Sequence, residues 1–354
     1  MKLAAPLAWL VDGAGASPSP EWFLAELGRQ LLADQLPLAG GALTLAVPHP
    51  IIARRTWLWR AETGAVIETL GFAGAGDLPG QAGRDWLAGL GPVEEETIGS
   101  ASDCPVLGWA GTRPFDPAEA SRLREVARFA AAPLAALTAR AALVTLLEAY
   151  LGRRSAARVR AGALRRGTGE TIRAALLCAD LRDFTALSEA TEPAAMIATL
   201  DAWFDRVAGA VHAFGGEVLK FIGDGVLAIF PVTGATGEAC EAALRAVVAA
   251  RAGMAHLDTV RQGQGLPPLP FGAALHFGEM LWGNIGAADR LDFTAIGPAV
   301  NLVSRLEGLC KPLGRSVLIS GAIAAETTTA LIPLGDHSMR GIADPCAVFT
   351  LPED

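Results

Sequence analysis

Residues 172–230 read IRAALLCADLRDFTALSEATEPAAMIATLDAWFDRVAGAVHAFGGEVLKFIGDGVLAIF, and the order of apolar periods within them decides the fold of the C-terminal half. The apolar run over 172–178 predicts a buried strand. Ile197, Leu200, Phe204, Val207, Val211 and Phe214 then recur at helical spacing, which predicts a helix over 193–214 with Pro193 in its first turn. Gly215 and Gly216 end it. Residues 217–221 and 226–230 predict a hairpin around Gly223-Asp224-Gly225, where the glycines supply the tight turn. Further along, the pattern predicts a helix over 238–258, a strand over 271–277 and a hairpin over 283–294. A helix over 298–310 and a strand over 316–319 follow. Strand, helix, hairpin, helix, strand is the ferredoxin-like βαββαβ order of the α+β class.

In that topology the first and third strands are central neighbours. Asp180 ends the first strand and Asp224 sits at the tip of the hairpin, so the fold is expected to bring the two carboxylates together. Two carboxylates on one point repel unless a cation lies between them, and hard oxygen ligands favour Mg²⁺.

The chain has 354 residues, 51% hydrophobic and 19% charged. Such a composition excludes disorder and fits two domains. A net charge of −8 argues against a general nucleic-acid binder. Basic residues are 26 Arg and only 3 Lys, namely Lys2, Lys220 and Lys311, so each lysine stands out against a strong arginine bias. The five cysteines are scattered, without a CxxC, which excludes a disulfide framework and a cysteine metal site and fits a reducing cytoplasm. The apolar stretch at 3–11 is short, carries Pro6 and meets Asp12, and is expected to open a domain rather than act as a leader. Pro133 and Arg140 cut the most apolar region, 129–147, so no membrane span is expected.

The N-terminal half predicts a mixed α/β unit. A helix is expected over 21–36, stopped by Gly40 and Gly41, with strands over 42–47, 57–60, 66–70 and 106–110. Trp57 and Trp59 should share one core face. The Gly- and Pro-rich stretch 73–105 reads as loop with a short helix near Trp86. Asp116 and Pro117 open a long helical region to about 150, with a kink expected at Pro133. The stretch 152–173 holds seven Arg against one acidic residue, Glu170, and reads as a solvated linker. His49, between Pro48 and Pro50, reads as a structural turn residue rather than a haem ligand.

Three motifs, ADLRDFT, KFIGDG and DFTAIGPAVNLVSRLE, together resemble the class III nucleotidyl cyclases, over about 200 residues from 152 onward. The Lys/Thr pattern within them is similar to that of the bacterial class IIIb adenylyl cyclases. The resemblance implies that Asp180 and Asp224 bind metal, with the Leu181 carbonyl as a further oxygen ligand, and that two Mg²⁺ or Mn²⁺ ions serve each site. It assigns Lys220 and Thr294 to the purine, Asn301 and Arg305 to the ribose and the transition state, and Arg340 to the terminal phosphates. It also implies a homodimer with composite sites, in which Asp180 and Asp224 of one protomer face Lys220, Thr294, Asn301 and Arg305 of the other. Lys220 and Asp224, four residues apart on one hairpin, hardly reach the two ends of one extended nucleotide from a single chain.

The residue chemistry agrees with ATP as substrate. Adenine offers an acceptor at N1 and a donor at N6, complementary to an ammonium and a hydroxyl. Guanine would call for a carboxylate where Lys220 stands, and a mispaired buried group costs ~1–3 kcal/mol. A guanidinium at Arg305 suits charge developing on the α-phosphoryl oxygens, and Asn301, one turn earlier, lies on the same helical face. Two departures from the family stand out: Asp183 where Gly is usual, and Gly297-Pro298 before Ala-Val-Asn. The helix, several strands and long exit helix of the N-terminal half resemble a GAF-like sensor, so a GAF-like regulatory domain is expected over 1–127, sensing an unknown small-molecule or protein signal. A helical signalling linker over 128–170 and an adenylyl cyclase catalytic domain over 171–354 follow. A catalytically silent nucleotide-binding module and a guanylyl cyclase are the alternatives.

Overall fold

The computed structural model describes residues 3–72, 80–99, 103–163, 165–342 and 344–352. Lys2 and parts of the loop expected over 73–105 lie outside them. The chain divides into two compact units, Met1–Tyr150 and Leu151–Asp354, each described by itself.

The first unit contains α1 (Ala5–Asp12), α2 (Pro20–Ala33), β1 (Leu38–Ala46), β2 (Ile52–Arg60), β3 (Val66–Phe72), α3 (Gln81–Ala88), β4 (Val93–Thr97), β5 (Val106–Gly111) and α4 (Pro117–Leu151). The strands form one antiparallel sheet in the order β3-β2-β1-β5-β4. One face carries the core, where Phe23, Leu24 and Leu27 of α2 and Leu123, Val126 and Leu134 of α4 meet Trp57, Trp59 and Trp109. The expected shared face of Trp57 and Trp59 is therefore present. On the other face Leu87 of α3 packs on Ala42, Leu58 and Ala110. Helix α4 starts on a reciprocal cap: Asp116 Oδ1 accepts from the Ala118 and Glu119 amides, and Glu119 Oε2 accepts from the Asp116 amide.

Several expectations for this unit are corrected. Gly40 and Gly41 lie inside β1 instead of stopping a helix. A Cβ on Gly41 would stand 2.5 Å from the Trp109 ring, so the glycine makes room for a buried indole that no local pattern announces. Strand β4 runs through the acidic segment read as loop, because pairing with β5 outweighs the low strand propensity of three consecutive glutamates. Helix α4 runs through Pro133 and Arg140. It is long and apolar enough to cross a membrane, with an 18-residue window of mean hydropathy 1.7, although the sequence reading expected no span there. His49 Nδ1 accepts from the Ile51 and Ile52 amides at 3.1 Å, a turn-forming role.

The second unit contains α5 (Arg153–Arg160), β6 (Gly169–Leu181), α6 (Phe184–Ala190), α7 (Pro193–Ala213), β7 (Glu217–Ile222), β8 (Gly225–Pro231), α8 (Thr236–Gly263), β9 (Phe271–Gly286), β10 (Leu291–Ile296), α9 (Pro298–Glu307), β11 (Val317–Ser320), α10 (Gly321–Ala324), β12 (Ile332–His337) and β13 (Cys346–Thr350). Its sheet order is β12-β13-β11-β9-β6-β8-β7, with β10 paired to β9. Within it, β9-β6-β8-β7 is the order of a ferredoxin-like βαββαβ core. Helices α7 and α8 cover one face through Trp203, Val207, Leu244 and Val247. On the other face α9 packs through Val303, Leu306 and the nearby Cys310.

Two readings change here. The strand and hairpin arm expected separately over 271–294 share one continuous strand, β9, paired along its length with β6 or β10. The Arg-rich stretch is not a solvated linker throughout: α5 buries Ser155 and Ala156 in this unit. The buried Glu217 carboxylate accepts from the Arg154 amide at 3.1 Å and the Ser155 amide at 3.2 Å, completing the helix start. Residues 128–150 belong to the first unit and 151–170 to the second.

Candidate active site

Strand β6 carries Asp180 to its end, and the β7–β8 turn carries Asp224 beside it, because β6 and β8 are paired from Ala174 to Ala179. The turn is held from α7, where the fully buried Trp203 donates its indole N–H to the Asp224 carbonyl at 2.8 Å. Glycine is needed at 223, where φ is +62°. Gly225 lies against the acid, since a Cβ there would stand 3.6 Å from Asp180 Oδ1.

The two carboxyl groups lie within electrostatic reach of each other. Burial, then the Asp224 carboxyl, then Glu307 push the Asp180 pKa well above the ordinary carboxylate range. Asp180 Oδ1 is buried and has no hydrogen-bond partner. Two converging carboxylates with an unsatisfied inward oxygen, next to the Leu181 main chain, form a hard-oxygen donor set that suits Mg²⁺ or Mn²⁺. Among the described residues, no group of three acidic, histidine or cysteine side chains is arranged to ligate one ion. The donor set is thus two side chains and main-chain oxygen.

Asp183 follows at φ +57°, a left-handed conformation that accounts for the usual glycine at this place. Its carboxylate bonds Lys311 Nζ at 2.5 Å, both groups being exposed. The departure from the family pattern therefore adds an acid already paired with a cation.

The two residues that the resemblance assigns to the purine, Lys220 and Thr294, sit on β7 and β10. In β7 the register shifts between Val218 and Lys220. Val218 packs with the α7–α8 core and Leu219 with the α9 core. Phe221 stacks on Phe204 of α7 at 4.3 Å, so strand alternation turns Lys220 to the α9 side. There its ammonium is paired with Asp292 of β10. Asp292 and Thr294 alternate with Phe293 and Ala295, which enter the core, and Thr294 is buried. Asp292 was not among the residues singled out from the sequence, although it stands two positions before Thr294 on one strand face.

On α9, Asn301 and Arg305 are both exposed. Arg305 makes no ion pair among the described residues. Arg340 is exposed after β12, beside the buried Met339, and among the described residues no hydrogen bond or ion pair brings it to the carboxylates. Among the described residues, no such contact joins Lys220, Thr294, Asn301 or Arg305 to Asp180 or Asp224 either. The structure thus brings Asp180, Leu181 and Asp224 together and pairs Lys220 with Asp292, on the strand that carries Thr294; among the described residues no hydrogen bond or ion pair joins the α9 pair to either.

A ferredoxin-like core with paired acids between its central strand and hairpin tip fits a catalytic domain of the nucleotidyl cyclase type. Residues 169–344 match the model of the adenylate and guanylate cyclase catalytic domain, and the C-terminal unit belongs to that family. The chain is 35% identical over 164 residues to adenylate cyclase 1 of Rhizobium meliloti, covering 46% of this chain and 25% of that protein. It is 34% identical over 161 residues to an adenylate cyclase of Anabaena cylindrica, covering 44% and 31%. A solved bacterial light-regulated adenylyl cyclase aligns with a TM-score of 0.53 at 19% identity, over 73% of this chain and 85% of that one, a likeness of fold. The chain spans between a quarter and a third of the length of those two relatives.

Proposed function

We propose that the protein is an adenylyl cyclase that converts ATP to 3′,5′-cyclic AMP and pyrophosphate, by in-line attack of the ribose 3′ oxygen on the α-phosphorus. The observation that carries this reading is the convergence of Asp180 and Asp224 around an unsatisfied buried oxygen, in a domain of the cyclase family. Asp180, Asp224 and the Leu181 carbonyl would hold two Mg²⁺ or Mn²⁺ ions. When bound, such ions lower the pKa of the attacking hydroxyl and draw charge from the triphosphate.

The chain's own residues divide the remaining work. Lys220 donates to adenine N1 while Asp292 fixes its direction, and Thr294 accepts from the N6 amino group. Asn301 orients the ribose, and Arg305 stabilises charge on the α-phosphoryl oxygens. Arg340 is assigned to the terminal phosphates on resemblance alone. The separation of the Asp180 group from Lys220 and Arg305 favours a homodimer with two composite sites, related by a two-fold axis. The N-terminal unit is read as a GAF-like sensor for an unidentified signal, and the protein as cytoplasmic. The alternatives are a silent nucleotide-binding module and, less favoured because of Lys220, a guanylyl cyclase.

The test is purified protein with Mg²⁺ or Mn²⁺ and either ATP or GTP, followed by chromatography of the products. Cyclic AMP from ATP with little cyclic GMP from GTP is expected. No cyclic product from either nucleotide with either metal refutes the reading.

A further inference from the structure

Glu307 stands two residues after Arg305 on α9, about 200° around the helix from it. Asn301 and Arg305 occupy the exposed face. Glu307 is half-buried on the opposite face, with Val303, Leu306 and Cys310, which pack on the sheet. Its place there depends on Gly272, where a Cβ would come within 2.4 Å of Glu307 Oε1. Gly272 is the ladder partner of Asp180. The Glu307 carboxylate therefore occupies the room beside Asp180 that any side chain at 272 would fill.

The charges around Glu307 are unbalanced. Asp180 and Asp224 both lie within electrostatic reach of it, and among the described residues Arg182 is the cation that opposes them. Part of Arg182 is engaged elsewhere, through a hydrogen bond to the Arg315 carbonyl. Among the described residues no hydrogen-bond donor reaches the Glu307 carboxylate. Burying a third carboxylate beside two others is unfavourable in the protein alone, and a divalent cation reverses the sign of that interaction. Glu307 is not arranged with the two aspartates as a third direct ligand. Its remaining means of acting is to accept hydrogen bonds from water on the ion and to add negative charge behind it.

Resting on the function proposed above, we propose that Glu307 is a positioning residue for the metal centre of its own protomer, so that α9 serves two catalytic sites at once. Through Glu307 it supports the carboxylates of its own chain. Through Asn301 and Arg305, on the other face, it completes the partner's site.

The first test is Mn²⁺ binding to the full-length protein, read from the electron paramagnetic resonance signal of the free ion. Glu307→Gln is expected to bind Mn²⁺ about tenfold more weakly, the size expected when a supporting residue behind a metal ligand is lost. The same variant should keep or raise the melting temperature of the metal-free protein, because a repulsive charge is gone. A merely structural role predicts the opposite, a lower melting temperature with unchanged affinity, and that result overturns the proposal. Glu307→Asp keeps the charge and withdraws it by one methylene. It should also lose affinity, and wild-type affinity in it overturns the proposal even if Glu307→Gln does not fold.

The second test asks which site Glu307 serves. Asp224→Ala and Arg305→Ala, each inactive alone, should recover about a quarter of wild-type activity when mixed, because half the dimers are mixed and each of those has one intact site. That site draws its carboxylates from the Arg305→Ala chain. Adding Glu307→Gln to the Arg305→Ala chain should therefore lower the recovery at limiting Mn²⁺, whereas adding it to the Asp224→Ala chain should not. Equal effects on both chains, or the reverse order, overturn the assignment. If the parent mixture stays inactive while subunits exchange, the shared-site reading fails, and the Mn²⁺ measurement still decides the role of Glu307.

Discussion

Trp203→Phe tests whether the hairpin tip is held by one hydrogen bond. The indole N–H reaches the Asp224 carbonyl at 2.8 Å, and the ring is fully buried against Phe271 at 5.4 Å. Phenylalanine keeps most of the packing and removes the donor. Leaving a shielded carbonyl without its partner costs ~1–3 kcal/mol, and the volume lost adds ~1 kcal/mol. The catalytic unit should therefore lose ~2–4 kcal/mol. At ~2–4 °C per kcal/mol for a unit of about 200 residues, its melting temperature should fall by about 5–15 °C. Val211→Ala supplies the control. Val211 is fully buried in the same core, eight residues further along α7. Both variants should lower the melting temperature, and only Trp203→Phe should also weaken Mn²⁺ binding and slow cyclic AMP formation at limiting metal. If Trp203→Phe binds Mn²⁺ as tightly as Val211→Ala, the indole is packing alone and Asp224 is positioned by the turn itself.

Asp224→Ala should abolish cyclic AMP formation while leaving the metal-free melting temperature unchanged or higher, since it relieves the acid pair; near-normal turnover would sink the metal assignment. Lys220→Glu combined with Thr294→Cys should reduce ATP turnover far more than stability, and unchanged preference for ATP over GTP in that variant would move base recognition elsewhere. Asp183→Gly should stay within ~1 kcal/mol of wild type and remain active, whereas Asp183→Val, a branched residue at positive φ, should cost ~1–2 kcal/mol; thermal melts with an activity assay compare them. The metal-free protein should lose stability as pH rises from about 4 towards neutrality, because the native Asp180 holds a proton that the unfolded chain has already released. Mn²⁺ should flatten that slope, and an unchanged slope with Mn²⁺ would mean that the ion binds away from Asp180.

The catalytic core was legible because each of its elements is announced locally. The helical spacing of Leu200, Phe204, Val207, Val211 and Phe214 and the glycines around Asp224 are short-range signals, and the sheet order β9-β6-β8-β7 follows by topology. Ile197 of that helical set is nevertheless exposed, and the largest fully buried side chain of the helix, Trp203, lay outside it. The first unit was less legible where long-range packing decides. Gly40 and Gly41 look like helix terminators, but they are strand residues that leave room for Leu90 and Trp109 from elsewhere in the chain. Glu94, Glu95 and Glu96 lack strand propensity and are held by the ladder with β5.

The same distinction runs through the site. Asp180 and Asp224 were found because they end elements whose adjacency the topology dictates. Asp292 was missed because its contact with Lys220 depends on a register shift at Leu219, and one extra residue in a strand leaves no mark in the apolar pattern. Nothing in the sequence pattern singles out Glu307, which stands two residues after Arg305. On a helix that separation turns the two side chains to opposite faces, and only the packing of α9 on the sheet, with the space left by Gly272, shows that the acid faces inward. Residue type and spacing thus identified the groups that chemistry requires. The supporting groups behind them depend on which side of a strand or helix faces the sheet, which is fixed by contacts far apart in sequence.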